Sequence, residues 1–133
     1  MQYGMLGERL GHSFSREVHA LLGDYHYELL ELSPEEVGDF MRARNFAAIN
    51  VTIPYKSTVI PYLDGIDDAA RAIGAVNTVK RVGDRLYGYN TDFSGMNALI
   101  EYNDITLKDK KVLILGSGGT SKTAFAVAES MGA

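Results

Sequence analysis

Three consecutive segments decide the fold class: Tyr27-Glu-Leu-Leu-Glu-Leu32, Ser33-Pro-Glu-Glu36 and Ala48-Ile-Asn-Val-Thr-Ile53. The first and third are short, mainly apolar runs of the kind found in strands. The second has a Ser suited to a helix N-cap, Pro at the first helical position and Glu three residues after the cap. A strand, a helix and another strand in succession predict a βαβ unit. We therefore expect an α/β fold with a largely parallel sheet.

The same alternation extends in both directions from this unit. Apolar runs predict further strands at 3–6, 76–82 and 86–89, and Gly83-Asp-Arg85 predicts a hairpin between the last two. Helical spacing of apolar residues predicts helices at about 16–22, after Pro54, through 66–73 and after Asp92. Residues 1–103 are therefore expected to form one domain, a mostly parallel sheet flanked by helices.

A polar stretch after residue 103 interrupts the pattern and predicts a domain boundary. Lys111-Val-Leu-Ile-Leu115 is typical of a strand buried on both faces of a parallel sheet, and a glycine turn and a helical segment follow it. Residues 104–133 are thus expected to be the first βα unit of a Rossmann-like domain, truncated because one unit cannot bury both faces of its strand. Its unpaired strand edge would favour a homodimer.

The composition excludes several classes of protein. The chain has 133 residues, 46% of them hydrophobic and 23% charged, with a formal net charge of −4 and no run of basic residues. This argues against nucleic-acid and membrane partners. With no cysteine there is no disulfide and no thiolate metal site. There is no secretory signal pattern and no apolar run near the roughly 18 residues of a membrane span, which predicts a cytoplasmic protein.

The turn Gly116-Ser117-Gly118-Gly119-Thr120 follows a strand candidate and precedes a helical segment. Backbone N–H groups and the helix dipole make such a turn a phosphate site. The pattern fits a dinucleotide fingerprint with Ser121 at the third glycine position. Two alternatives stay open: a P-loop, since Ser121-Lys-Thr123 resembles its end, and a structural turn that binds no anion.

Four polar segments occur where a strand should give way to a helix, and ligands of open α/β sheets bind beyond the carboxyl ends of strands. Together their hydroxyls, amides, Lys and Asp would suit a polyhydroxylated, anionic small molecule. The segments are Gly11-His-Ser-Phe-Ser15, Asn50-Val-Thr-Ile-Pro-Tyr-Lys56, Gly74-Ala-Val-Asn-Thr78 and Gly88-Tyr-Asn-Thr-Asp92.

Simpler explanations exist for most of these side chains. Helix capping, strand preference or turn preference would explain Ser13, Ser15, Thr52, Asn77 and Asp92. Lys56 differs, because a helix beginning at Pro54 would place its charge at the positive end of the helix dipole. That unfavourable placement points to a functional role for Lys56.

In this order and spacing, the four segments and the glycine turn resemble the signature segments of shikimate dehydrogenases. The resemblance covers essentially all 133 residues. It implies NADP-dependent, reversible reduction of 3-dehydroshikimate to shikimate, a step of chorismate and aromatic amino acid biosynthesis, without a metal. As a fragment, this chain is expected to be inactive alone.

The resemblance also implies a role for each matching residue. Lys56 and Asp92 match the catalytic pair, Ser13 and Ser15 match the residues that bind the substrate carboxylate, and Asn50 supports the pocket. The ring hydroxyls are held by residues that match Thr52, Asn77 and Asp92. The cofactor diphosphate is held by residues that match Gly116, Ser117, Gly118, Gly119 and Thr120.

The chain departs from the family pattern near the carboxylate site. Arg9 and Arg16 replace two prolines of the first motif, and Ala20 replaces an Asn. Substrate preference is therefore open, and a quinate dehydrogenase is one alternative. Another is an isolated shikimate-binding module without catalysis.

Overall fold

The computed structural model describes residues 1–133, and its centre is one mixed sheet of six strands. The strands are β1 (Tyr3–Gly7), β2 (Tyr27–Glu31), β3 (Ala48–Val51), β4 (Gly65–Ile66), β5 (Thr78–Val82) and β6 (Arg85–Tyr89). The helices are α1 (Ser15–Leu22), α2 (Pro34–Ala43), α3 (Asp68–Ile73), α4 (Asp92–Tyr102) and α5 (Gly119–Ser130). A short 3-10 helix spans Ile60–Tyr62.

The strand order across the sheet is β2-β1-β3-β5-β6-β4. β1 pairs in parallel with both β2 and β3, and β4 pairs in parallel with β6. β5 is antiparallel to β3 and to β6, and it forms the predicted hairpin with β6. Three of the five strand pairs are therefore parallel, and the α/β class with a mostly parallel sheet and flanking helices is confirmed.

The capping pattern at Ser33 produces the predicted start of α2. The Glu36 carboxylate accepts the Ser33 backbone N–H at 2.9 Å and the Ser33 hydroxyl at 2.8 Å. These two hydrogen bonds lower the pKa of the Glu36 carboxyl. Val37 and Met41 of the same helix are fully buried, so the capped helix presents its apolar face to the core.

The core lies on one face of the sheet. Twelve buried side chains form a single cluster there, in which strand residues pack against α2, α3 and the segment that follows β3. They are Leu6, Val37, Met41, Phe46, Ile49, Val51, Tyr55, Val59, Ala70, Val76, Val79 and Leu86. The opposite face of β1 and β3 carries Met5 and Asn50. The loop residue Ser13 and the α1 residues Ser15 and His19 lie against this face.

The predicted helix at Pro54 is wrong, because the chain there forms a series of turns. The Lys56 carbonyl accepts the Val76 N–H at 2.8 Å, and the Ser57 hydroxyl donates to the Gly74 carbonyl at 2.9 Å. These bonds to a distant loop replace helical ones. Since there is no helix, the dipole argument for Lys56 does not hold. Ile66, predicted as helical, lies instead in the short strand β4.

The predicted strand at Lys111–Leu115 is also not formed. Residues 111–117 make no backbone hydrogen bond, and the side chains of Leu113 and Leu115 are 83% and 86% exposed. A strand requires a neighbouring strand to pair with, and this segment has none. The predicted helix after it does form as α5, which packs against α3 and α4 and buries Thr123, Val127 and Ala128.

None of the helices is both long enough and apolar enough to cross a bilayer.

Candidate functional site

The centre of the site is an ion pair between two segments that are distant in sequence. The Lys56 Nζ lies 2.5 Å from Asp92 Oδ2, and the two side chains are 15% and 33% exposed. Lys56 comes from the turns after β3, and Asp92 is the first residue of α4. Partial burial limits water access and strengthens the attraction between the two charges. The pair that the sequence singled out is thus in direct contact.

Asn77 joins the same cluster from the loop before β5. Its Nδ2 donates to Asp92 Oδ1 at 2.9 Å and to Thr91 Oγ1 at 2.8 Å, while its Oδ1 accepts the Thr91 N–H at 3.0 Å. Asn77 is 9% exposed. Each Asp92 oxygen therefore has its own donor, one from Asn77 and one from Lys56. This arrangement fixes the plane of the carboxylate.

Asn90 positions Asp92, a role that was not predicted from the sequence. The Asn90 Oδ1 accepts the N–H groups of Asp92 at 3.0 Å and Phe93 at 3.3 Å, and its Nδ2 donates to the Ala75 carbonyl at 2.9 Å. The side chain is 3% exposed. Asn90, rather than Asp92, thus satisfies the first N–H groups of α4. An Asn just before a helix was a capping signal that could have identified it.

Ser13, Ser15 and Thr52 line a second part of the site, a cavity of about 760 Å³. The two serine hydroxyls are 3.1 Å apart, and each contacts the Met5 sulfur at 3.6 Å. The cap position of α1 is Phe14, which makes no side-chain cap hydrogen bond. Ser13 accepts only the Ser15 N–H, at 3.3 Å, so helix capping is a minor part of what the serines do.

Charged and titratable side chains line another part of this cavity wall. Arg9, one of the two arginines that depart from the family pattern, lines it, and so does His12. Glu31 also lines it, but its carboxylate accepts the Leu10 N–H at 2.5 Å. Arg9 takes part in no ion pair with a protein carboxylate. The cavity therefore offers two hydroxyls and a free guanidinium, a combination suited to an anion.

The structure does not place all the predicted substrate residues in one cavity. Lys56, Asn77 and Asp92 are not in the wall formed by the two serines and Thr52. Thr52 and Lys56 both follow the carboxyl end of β3, and the Thr52 N–H donates to the Leu6 carbonyl of β1 at 2.9 Å. Both groups therefore lie beyond the carboxyl ends of parallel strands, as expected for an α/β ligand site.

The glycine turn reaches the ion pair. A Cβ atom built on Gly119 would lie 3.6 Å from the Lys56 Cδ, so the start of α5 borders the Lys56 side chain. Gly116 has φ of 120°, a conformation that favours glycine. Gly116 and Ser117 line a cavity of about 510 Å³ beside α3 and α5, whereas Thr120 is exposed and not in its wall.

The backbone of this turn has free donors. Gly118 is the N-cap of α5, and its carbonyl accepts the Ser121 hydroxyl at 2.6 Å. The N–H groups of Gly119 and Thr120 make no backbone hydrogen bond. A turn with a glycine-only conformation and unpaired N–H groups at a helix start fits a phosphate. No group of three or more His, Asp or Glu side chains is arranged to hold a metal ion.

The fold and site define an α/β ligand-binding domain, and comparison with known proteins identifies the family. Residues 5–79 match the family model described as the shikimate dehydrogenase substrate binding domain. The chain therefore belongs to this family.

Individual relatives support the same family assignment. The chain is 41% identical to the shikimate dehydrogenase (NADP(+)) of Clostridium beijerinckii over 128 residues, which is 90% of this chain and 47% of that protein. It is 45% identical to the enzyme of the same name from Halothermothrix orenii, over 98% of this chain and 48% of that protein.

Solved structures match over the same extent. Shikimate dehydrogenase 1 from Peptoclostridium difficile superimposes with a TM-score of 0.91 at 35% identity, over 99% of this chain and 52% of that one. A Thermus thermophilus shikimate 5-dehydrogenase in complex with NADP(H) and shikimate superimposes with a TM-score of 0.86 at 34% identity, over 98% of this chain and 52% of that one. The chain thus spans about half the length of the relatives it matches.

Proposed function

We propose that this chain is the substrate-binding part of an enzyme that reduces 3-dehydroshikimate to shikimate, reversibly and with NADP, in aromatic amino acid biosynthesis. One observation carries the proposal: in a member of this family, Lys56 and Asp92 form a partly buried ion pair that Asn77 orients. A Lys and an Asp in contact beyond the carboxyl ends of strands are placed to exchange a proton with a bound ligand.

In the proposed mechanism Lys56 is the catalytic acid. As the ketone carbon is reduced, negative charge grows on its oxygen, and the Lys56 ammonium stabilises that charge and donates a proton to it. In the reverse direction the neutral amine accepts the proton from the shikimate hydroxyl. Asp92 keeps the ammonium in place through the 2.5 Å contact and accepts a hydrogen bond from a ring hydroxyl.

The other substrate residues supply orientation. Ser13 and Ser15 would donate to the substrate carboxylate, and Thr52 would hold a ring hydroxyl. Asn77 would hold another ring hydroxyl by exchanging its bond to Thr91 Oγ1 for one to the substrate. The cavity that the serines share with Thr52 has enough volume for a ring of this size. The carboxylate lies far from the reacting carbon, and anchoring it orients the ring. This orientation reduces the entropy cost of reaching the transition state.

The cofactor site is proposed at Gly116, Ser117, Gly118, Gly119 and Thr120. Their free N–H groups would bind a diphosphate. NADPH, when bound, supplies the hydride. The approach of Gly119 to Lys56 supports this position, because a cofactor held at the turn would lie beside the catalytic lysine. We also propose a domain boundary between residues 103 and 104, a cytoplasmic location and a homodimer.

A binding module without catalysis is the second candidate. It is favoured by the segment before the glycine turn, because residues 111–117 make no backbone hydrogen bond and Leu113 and Leu115 are exposed. In this case shikimate binds between the serines and the ion pair, and the chain by itself transfers no hydride.

Two measurements on the chain separate these candidates. Calorimetry with shikimate and with quinate tests binding, and reduction of NADP by shikimate tests catalysis. Shikimate binding without turnover supports the module, whereas turnover contradicts the expected inactivity of the fragment. Stronger binding of quinate would indicate a quinate dehydrogenase, and no binding of either compound would contradict the assignment of the pocket.

Mutation of Lys56 tests the mechanism in the complete enzyme. Lys56→Ala should lower kcat by roughly 10²- to 10⁴-fold, with a much smaller change in KM, because general acid catalysis is lost. Lys80→Ala is the matched control, since Lys80 is exposed on β5 and makes no hydrogen bond through its side chain. Unchanged kcat in Lys56→Ala would remove Lys56 from the mechanism.

A further inference from the structure

A line of hydrogen bonds crosses the sheet face that carries α1 and ends at the ion pair. The Tyr27 hydroxyl donates to Asn50 Oδ1 at 2.6 Å, and Asn50 Nδ2 donates to Thr78 Oγ1 at 3.2 Å. The Thr78 hydroxyl donates in turn to Asn77 Oδ1 at 3.1 Å. From Asn77 the line continues to Asp92 Oδ1 at 2.9 Å. It connects β2, β3 and β5 with the start of α4.

Every bond in this line points the same way. Thr78 has one hydroxyl proton, and its oxygen already accepts from Asn50, so the proton is free to go to Asn77 Oδ1. That leaves the Nδ2 group of Asn77 to face Asp92. The carboxylate at the end of the line can only accept while it is ionised, so the direction is consistent at both ends. Aligned hydrogen bonds of this kind strengthen one another.

The starting donor is held firmly. Tyr27 is 5% exposed, and the His19 ring stacks on it with 3.8 Å between centroids and 11° between planes. His19 Nδ1 is 2.6 Å from the Tyr25 hydroxyl, which fixes the histidine ring as well. Burial, together with the neighbouring Tyr25, raises the pKa of Tyr27 to about 12. The phenol therefore keeps its proton throughout the neutral pH range.

We propose that Tyr27 and Thr78 are positioning residues for the reaction: through Asn50 and Asn77 they fix the Asp92 carboxylate in the orientation that holds Lys56. Neither would touch the substrate's reacting atoms. The inference rests on the proposed function and extends it to two residues outside the ion pair. It also assigns a role to His19 and Tyr25, because their contacts with Tyr27 immobilise the first donor of the line, the Tyr27 hydroxyl.

The decisive variant is Thr78→Val, which removes the hydroxyl at nearly constant shape and suits a strand. Losing one hydrogen bond should weaken shikimate binding, measured by calorimetry on the chain, by roughly fivefold. In NMR spectra without ligand, the Asn77 side-chain NH₂ protons should exchange with water faster. Thr78→Ser should restore both properties. Thr106→Val is the control, because Thr106 is exposed and makes no side-chain hydrogen bond.

Tyr27→Phe tests the other end of the line and should give the same changes to a smaller degree. Tyr3→Phe is its matched control, since Tyr3 lines the same cavity of about 440 Å³ but its hydroxyl makes no hydrogen bond and has no place in the line. Should Thr78→Val fail to fold, the two tyrosine variants decide the question.

The outcomes separate this inference from the function on which it rests. Unchanged Asn77 exchange and unchanged binding in Thr78→Val and Tyr27→Phe would overturn the positioning role alone. Failure of Thr78→Ser to restore binding would do the same. Absence of shikimate binding by the unmutated chain would overturn the proposed function and the positioning role together.

Discussion

β3 and Lys111–Leu115 are apolar segments of similar length, but only β3 forms a strand. β3 lies between β1 and β5, and Ile49 and Val51 are each 2% exposed. In Lys111–Leu115 no backbone group is paired, and Leu113 is 83% exposed. Apolar composition is therefore not sufficient for a strand. Partner strands must satisfy the backbone and another layer must cover the side chains.

The helices α4 and α5 differ in how the backbone N–H groups at their starts are satisfied. The start of α4 is held by the buried side chain of Asn90, which accepts two of the first N–H groups. α5 begins at Gly119, and its N-cap, Gly118, makes no side-chain hydrogen bond. The helix that carries Asp92 is thus fixed by the protein itself. The helix at the glycine turn has free donors, as a phosphate-binding helix requires.

The largest expected effect comes from paired leucine truncations. Leu6→Ala in β1 removes a fully buried side chain and should lower the free energy of unfolding by about 2–5 kcal/mol. Leu113→Ala removes an exposed one and should change it by less than about 0.5 kcal/mol. Urea denaturation measures both. Similar losses in the two variants would mean that Leu113 is covered in solution, as it would be in a homodimer.

The helix starts provide the next comparison. Asn90→Ala removes two bonds to α4 and the bond to the Ala75 carbonyl, so we expect a loss of about 2–3 kcal/mol in unfolding free energy. Ser121→Ala at the exposed start of α5 should cost under about 0.5 kcal/mol. A small effect for Asn90→Ala in the same denaturation experiment would contradict its capping role.

The smallest expected effect is a decrease in the stability of the fold at low pH. The Asp64 carboxylate accepts the Leu86 N–H at 2.8 Å and an Arg44 N–H at 3.0 Å, and the first of these is the main reason that its pKa lies below the ordinary 3.8. A lowered folded-state pKa stabilises the protein above pH 3.8, and this stability is lost as pH falls through the folded value.

Thermal melts between pH 5 and pH 2 would test this effect, and Asp64→Asn should make the acid-induced decrease in melting temperature shallower. No carboxylate in residues 104–133 forms an ion pair, so the acid response should come from the six-stranded part. An identical pH profile in the variant would exclude Asp64 as its source.

Local signals in the sequence predicted much of this structure. The capping pattern at Ser33 gave the right start for α2, and Gly83-Asp-Arg85 gave the right hairpin. Both features depend on contacts between residues a few positions apart, so they can be predicted from the sequence alone. The family resemblance pointed to Lys56, Asn77 and Asp92, which the fold brings into contact. Their roles stay predictions.

The errors occurred where distant contacts decide the conformation. Pro54 is a good first residue of a helix, but the bond from Val76 to the Lys56 carbonyl holds the following residues in turns. Lys111–Leu115 has the composition of a buried strand, but no strand lies beside it. The hydrogen bonds from Tyr27 to Thr78 could not be predicted from the sequence either, because these residues become neighbours only when β2, β3 and β5 share a sheet.

By itself, the sequence determined the α/β class, the local caps and turns, and which polar segments stand at the ends of strands. These follow from spacing and from the preferences of single residues. Only the tertiary structure decided that Lys56 meets Asp92, that Asn90 rather than Asp92 holds the start of α4, and that an apolar run remains unpaired. Hydrogen bonds and burial act on groups that are close in space, and the chain brings those groups together only by folding.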